Sequence, residues 1–472
     1  MFYLIFFLLL FCDSPQKYDV YYVNRSVFNF EKTKTILIFP FKNTGLSKFS
    51  YYSEGITESV VNDLSLVRGI SVISQDDRKK ALKELAYKQA IGLDDKDISK
   101  IANITGADLF FTGSYSIEEN QIRIIARLIE SNSGSTIKSI KIDGLTKDIF
   151  VLQDNLALKL IESTINISTE EKGYIQNKPL YSEKAFELFS KGLEIEDSNP
   201  KGALEFYKNA IKLQNNYIDA LSKAGNVSIL LNEITESLKY FERVTALKEK
   251  IGLSNTPDFA ITMLKIGNVQ KLKGDYDSAL SYYNKSKELL EKLGLINTTG
   301  YASTLGNIGN VYKDKGENDK ALEYYKKSQD LRDKLKLQNT SAYATTINNI
   351  GFILSSQQKY EPALEQYNKS LALRDKLGLE NTSGYASTMN NIGSVLNIKK
   401  EYDKAIEYYN KAKLIREKLG QQNTLDYATI LNNLGIIYEN KGELKRAQEY
   451  FEKGKSIKSK LNNSSNEKGN LE

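Results

Sequence analysis

The chain has 472 residues, 41% of them hydrophobic and 26% charged, and its net charge of +6 is spread along the sequence. That composition is globular and offers no concentrated basic surface for a nucleic acid. His is absent and Cys occurs once, which excludes Ser-His-Asp and Cys-His nucleophiles, imidazole metal ligands and intrachain disulfides. No GxxxxGK[ST], strand-borne GxGxxG or GxSxG is present, so no nucleotide, cofactor or metal site is expected. Ser, Asp, Glu, Lys and Tyr chemistry stays open, but an enzyme is the least supported class.

Residues 1–11 read MFYLIFFLLLF and stop at Cys12, followed by polar DSPQK. Eleven helical residues span only about 16 Å, roughly half a bilayer core, so the run is too short to cross a membrane. It fits the apolar segment of an export signal. With the chain's only Cys directly behind it, the segment resembles a bacterial lipoprotein signal, although Phe11 stands where that pattern has a small residue. The resemblance implies a lipid on Cys12, a tether over 13–33, and a membrane-anchored, periplasm-facing place in the cell envelope. An ordinary signal peptide, and a soluble periplasmic or secreted product, is the alternative.

Residues 34–165 read as an α/β domain. Thr35–Phe41 is a nearly continuous apolar run, as a buried strand requires, with Pro40 near its end. Residues 51–67 place Ile56, Val60, Val61 and Leu64 at helical spacing, and Ile70–Ile73 is a second strand. Helices are expected at 77–91 and 95–104. Leu109–Ser116, Gln121–Glu130 and Thr136–Ile142 form a three-strand meander, and 147–165 a closing helix. Five words occur in order here: Pro40-Phe41, Ser53-Glu54-Gly55-Ile56-Thr57-Glu58, Gly106-Ala107-Asp108 before Gly113-Ser114-Tyr115, Leu128-Ile129-Glu130-Ser131, and Asp148-Ile149-Phe150-Val151-Leu152-Gln153-Asp154. Together they resemble the TolB-like N-terminal domain of bacterial envelope proteins. That resemblance implies an envelope interaction module without catalytic residues.

Residues 181–462 are a repeat array. Gly225, Gly267, Gly309, Gly351, Gly393 and Gly435 lie 42 apart, as do Ala279, Ala321, Ala363, Ala405 and Ala447. Asn-Thr pairs at 255, 297, 339, 381 and 423 keep the same period. Three registers held this long define tandem supersecondary units. In each, two helices carry apolar residues at i, i+3, i+4, i+7, such as Leu305, Ile308 and Tyr312, then Ala321, Leu322 and Tyr325. Gly309 and Ala321 are the small residues expected where the paired helices approach, and Gly316 supplies the turn. The pattern resembles the tetratricopeptide repeat, and its 42-residue period the kinesin-light-chain subtype. Seven units start near 181, 217, 259, 301, 343, 385 and 427, the first keeping the ordinary period of 34. The fold class is thus an α/β N-terminal domain plus an all-α tetratricopeptide superhelix, an α-solenoid. Residues 166–180 are the expected linker and 463–472 a disordered tail.

Stacked hairpins line a concave groove with their first helices. On these helices Asn307, Asn348, Asn349, Asn390, Asn391, Asn432 and Asn433 stand just before the repeat Gly. Asn is a poor helix former, so nothing local favours it there. Its amide offers donors and an acceptor that match a peptide unit, and a phased row can hold an extended chain by its backbone. An AT-rich composition accounts for abundant Asn but not for its phase. Arg332, Arg374 and Arg416 also recur, late in the second helices, where favourable charge near a helix C-terminus accounts for them. Tyr301, Tyr343, Tyr385 and Tyr427 start the first helices and are expected to pack between units. The expected function is a non-catalytic envelope scaffold that takes a protein or extended peptide in this groove. A structural subunit of an export or pore assembly is the alternative.

Overall fold

The computed structural model describes residues 33–73 and 105–469, with side chains through 460. Cys12, the signal segment, most of the tether and the helices expected at 77–91 and 95–104 lie outside these residues. The sheet is mixed. Strand β1 (Lys34–Ile38) has parallel neighbours on both sides, β3 (Ile70–Val72) and β4 (Leu109–Glu118). A strand so placed is covered on both faces, and Ile36, Leu37 and Ile38 are at most 1% exposed. It ends before Pro40, and a two-residue strand β2 (Lys42–Asn43) pairs with the far end of β4. Strands β5 (Gln121–Glu130) and β6 (Thr136–Leu145) continue antiparallel, giving the order β3-β1-β4-β5-β6.

Strand β5 alternates as one wet face requires. Ile122, Ile124, Ala126 and Leu128 are buried, while Gln121, Arg123 and Arg127 are exposed. The buried side shares a core with helices α1 (Tyr52–Leu64) and α2 (Ile149–Glu162). Several residues of the sequence words have local duties. The Asp108 carboxylate accepts the Thr35 N–H at 2.9 Å. A Cβ on Gly113 would lie 2.5 Å from the Phe41 ring and 2.7 Å from the Ile125 carbonyl oxygen. The Tyr115 hydroxyl donates to the Phe49 carbonyl at 2.7 Å.

Residues 166–180 depart from a bare linker. They contain α3 (Thr169–Gln176), opened by a capping box between Ser168 and Glu171. Ile175 is fully buried, and the same hydrophobic core runs from Ile36 through α2 and α3 to Leu253. The α/β region and the first two hairpins therefore share one interior.

Seven helical hairpins follow. They are α4 (Glu183–Ile195) with α5 (Pro200–Leu213), α6 (Ile218–Leu230) with α7 (Ile234–Lys250), and α8 (Pro257–Leu272) with α9 (Tyr276–Lys292). Next come α10 (Thr299–Asp314) with α11 (Asn318–Lys334), and α12 (Ser341–Ser356) with α13 (Tyr360–Lys376). The last are α14 (Ser383–Ile398) with α15 (Tyr402–Lys418), and α16 (Leu425–Asn440) with α17 (Leu444–Gly469). The phased Asn-Thr pairs are explained by capping: Thr256, Thr298, Thr340, Thr382 and Thr424 each accept the backbone N–H three residues on. Gly316 turns the chain at φ 77°, which a residue with a Cβ adopts only at a cost.

The repeat Gly meets a different partner from the one expected. A Cβ on Gly309 would sit 2.8 Å from the Tyr325 ring, not against Ala321. Gly267, Gly351 and Gly393 face Tyr283, Tyr367 and Tyr409 in the same way, and Gly225 and Gly435 face Phe241 and Phe451. The missing side chain thus admits a flat ring between the paired helices. Ala279, Ala321, Ala363 and Ala405 are fully buried, and Ala447 is 3% exposed. The tail also differs. Helix α17 continues to Gly469 across residues expected to be disordered. The second helices from α7 to α15 are each followed by a residue with positive φ: Gly252, Gly294, Lys336, Gly378 and Gly420. The equivalent position holds Asn462, and the helix runs through it.

Candidate functional site

Two residues before each repeat Gly lies one position of the first-helix face. Its occupants are Ser190, Lys223, Lys265, Asn307, Asn349, Asn391 and Asn433. The series falls into two parts. In the first hairpins α1 covers the face. A methyl group on Gly55 would overlap Ser190 Oγ and the Phe186 ring. Lys223, 3% exposed, forms an ion pair with Glu58 of α1 at 3.1 Å. Nearby, Lys178 bridges Asp63 and Asp154, and the Arg68 side chain donates to Glu171 at 3.0 Å. Burial pushes the Asp219 carboxyl up to about 6 and Lys265 down to about 8.

From α10 onward the position is amide, and the amides bond to one another across units. Asn307 Nδ2 donates to Asn268 Oδ1 at 3.4 Å, and Asn310 Nδ2 to Asn307 Oδ1 at 3.4 Å. Asn349 donates to Asn310 at 3.0 Å, Asn348 to Asn349 at 3.4 Å and Asn391 to Asn348 at 3.3 Å. Asn433 donates to Asn390 at 3.1 Å. Asn432 stands beside them, against Gly454 of α17. All seven expected Asn side chains are half-buried. An amide carries two N–H groups and a carbonyl oxygen with two lone pairs, so one bond to a neighbour leaves capacity for a ligand.

Asn268 and Asn310 belong to this chain and were not singled out in the sequence, although they keep the 42-residue period one position after the repeat Gly. Their carbonyls also accept the buried Tyr283 and Tyr325 hydroxyls at 2.6 and 2.8 Å. At the equivalent position Phe352 and Ile436 are 40% exposed, and Lys313 Nζ lies 5.4 Å from the Phe352 ring centroid. The face is therefore amides with apolar patches.

The phased arginines stand in the last turns of their helices, as expected, but they are also held by side-chain bonds. Arg332, Arg374 and Arg416 are buried, and each donates to a hydroxyl of the first helix in its own hairpin: Ser303, Thr345 and Ser387, at 3.1, 3.0 and 2.9 Å. Arg416 also pairs with Asp426 at 2.7 Å, as Lys248 pairs with Asp258 at 2.5 Å. Gly384 takes the acid's place beside Arg374, and no carboxylate lies within ion-pair distance of that guanidinium among the described residues. Burial lowers its pKa. Tyr301 and Tyr427 donate to Glu291 and Glu417 of the preceding hairpins at 2.5 and 2.6 Å, so these tyrosines join units. Among the described residues no group of three His, Cys, Asp or Glu could hold a metal, and no helix is long and apolar enough to cross a membrane.

Residues 300–376 and 384–460 match the family profile described as Tetratricopeptide repeat, and 260–290 match a second profile of that description. The fold is accordingly a small N-terminal sheet region followed by a tetratricopeptide-repeat solenoid. A curated relative, "Putative adenylate cyclase 3" of Rhizobium meliloti (strain 1021), is 24% identical over 225 residues, 47% of this chain. The match spans 36% of that relative's length. Among solved structures, the apo form of RapI is 16% identical, with 59% of this chain and 99% of that chain covered at a TM-score of 0.48. The nearly identical TPR-like repeats of a Podosopora anserina kinesin light chain are 12% identical, covering 43% and 95% at a TM-score of 0.35.

Proposed function

We propose that this chain is a non-catalytic adaptor of the cell envelope that holds an extended polypeptide along the amide-lined face of its first helices. The observation that carries the reading is the row of half-buried Asn amides from Asn307 to Asn433, linked across units. Backbone N–H and C=O groups of a guest match the amides' spare valences, and Phe352 and Ile436 supply apolar footholds. Tetratricopeptide solenoids are arrays whose extended inner surfaces serve binding. Helix α1 already seals the face in the first two hairpins, so the guest's place begins further along.

The envelope setting is supported by the TolB-like words of residues 34–165 and by a single cysteine placed directly behind an apolar leader. A lipid on Cys12 would tether the chain to the membrane, with further acyl chains making the attachment stable. Palmitate incorporation lost in Cys12→Ser is the expected result, and equal labelling of both forms would remove the anchor.

The groove is tested by replacing Asn349, Asn391 and Asn433 together with Ala and repeating crosslinking in living cells. Loss of the crosslinked polypeptides, with helicity and thermal midpoint retained, is expected. Unchanged recovery of the same polypeptides would take the amides out of the mechanism.

A further inference from the structure

Tyr240, Tyr282, Tyr324, Tyr408 and Tyr450 recur every 42 residues on the second helices, and Gln366 alone breaks the series. In the neighbouring hairpins this tyrosine packs into the groove between successive second helices. Tyr282 lies against the cluster that holds Phe241, Tyr324 against the cluster that holds Ala279 while stacking on Tyr312 of its own first helix at 5.6 Å, and Tyr408 against the cluster that holds Ala363. Between α11 and α13 the ring is missing. A cleft of about 600 Å³ lies there, floored by Ile350 and Leu354 and walled by Leu322, Gln366, Lys326 and Lys369.

Two cations mark what the cleft lacks. The residue three after four of these tyrosines is a lysine whose ammonium stands over the ring: Lys285 on Tyr282 at 4.9 Å, Lys327 on Tyr324 at 5.1 Å, Lys411 on Tyr408 at 5.9 Å and Lys453 on Tyr450 at 5.9 Å. Lys369 keeps this place although its own ring is gone, and it pairs with the exposed Glu365 at 2.7 Å, as Lys327 and Lys411 pair with Glu323 and Glu407. Lys326 is the second. Its equivalents are Glu242, Asn284, Asn368, Asn410 and Glu452, so a positive charge occurs only in the hairpin that borders the gap. No ion pair engages Lys326 among the described residues. An aromatic face satisfies the first cation and an anionic group the second.

We propose that this cleft is a binding site for a small aromatic acid. The ring takes the vacated tyrosine position beneath Lys369, and the carboxylate turns to Lys326. The volume falls within the range of small-molecule pockets, and apolar walls with a few convergent polar groups are their usual lining. The site lies between second helices and does not depend on the amide-lined face.

The full chain is titrated with 4-hydroxyphenylacetate and with neutral p-cresol, followed by saturation-transfer NMR and calorimetry. Saturable binding of 4-hydroxyphenylacetate is expected. Gln366→Tyr should weaken it at least tenfold while leaving the thermal midpoint unchanged or raised. Lys326→Met should weaken the acid several-fold and leave p-cresol alone, and Lys369→Met should weaken both. Absence of saturable binding, or equal binding by Gln366→Tyr, overturns the proposal. Silence of the free acid together with Gln366→Tyr-sensitive binding of the peptide acetyl-Asp-Tyr-Asp-amide overturns it too, in favour of a polypeptide occupant.

Discussion

The first two hairpins and the last three use the same helical pair, yet they treat the same face in opposite ways. In the first, the position before the repeat Gly is Ser190 or Lys223, and α1 lies on it through Gly55 and Glu58. In the last, it is Asn349, Asn391 and Asn433, which donate to Asn310, Asn348 and Asn390 of the preceding units and remain half open to solvent. The difference teaches that the residue at this position follows its neighbour. Where the chain supplies a fixed partner, a charge meets its counter-charge in a dry contact. Where no fixed partner exists, a neutral group with both donors and acceptors is left.

Lys223→Ala should break the comparison hardest. Removing the cation from a buried pair costs about 3–5 kcal/mol, because the remaining carboxylate stays desolvated. Denaturant unfolding should show that loss, and hydrogen exchange should rise in α1 but not in α14 and α15. An unchanged α1 would mean that apolar packing alone fastens the sheet region to the repeats. Gly393→Ala probes the other end. Its methyl would press on the Tyr409 ring at 2.8 Å, and overpacking of this kind costs about 1–3 kcal/mol. Exchange should then rise in α14 to α17 while α1 stays protected.

Acidity should sharpen the contrast further. Asp219 sits at the sealed end with its carboxyl raised to about 6, so the folded chain holds that proton more tightly than the unfolded chain does. The associated stability is full below about pH 4 and is lost as pH rises through about 6. Unfolding midpoints from pH 4 to 7 should therefore fall in the parent relative to Asp219→Asn. A constant difference across that range would show that Asp219 does not carry the effect. The smallest change is expected from Arg374→Met. A buried arginine without a carboxylate partner gains little from its charge, so the exchange should be neutral or stabilising by up to about 1 kcal/mol. A loss beyond about 2 kcal/mol would mean that its bonds to Thr345 and Ser370 outweigh its desolvation.

Much of this was legible from local pattern. The strand Gln121–Glu130 was legible with both its ends, and the Asn-Thr phase marked the repeat without showing that each Thr caps a first helix. These are cases in which neighbours in sequence settle the geometry. The repeat Gly was seen but its partner was missed, because the ring that fills its space lies sixteen residues on and the buried Ala twelve on looked equivalent. Residues 166–180 were missed as structure because α3 buries chiefly Ile175 and Glu171, too few for a helical period to stand out. Lys223 did not stand out in the sequence. Its meaning depends on Glu58, which lies far upstream in the chain and which no local period connects to it.

The shared interior that runs from Ile36 to Leu253 has a consequence for how such a chain can change length. Ser71 of β3 meets Thr299 at 3.0 Å and Gly106 lies against Leu337, so among the described residues it is the 42-residue cassettes after that point that touch only the cassettes beside them and can be inserted or deleted without disturbing the sheet. The first two hairpins have no such licence: they serve as a keel laid down together with the strands, and any shortened version that keeps the strands must keep them as well.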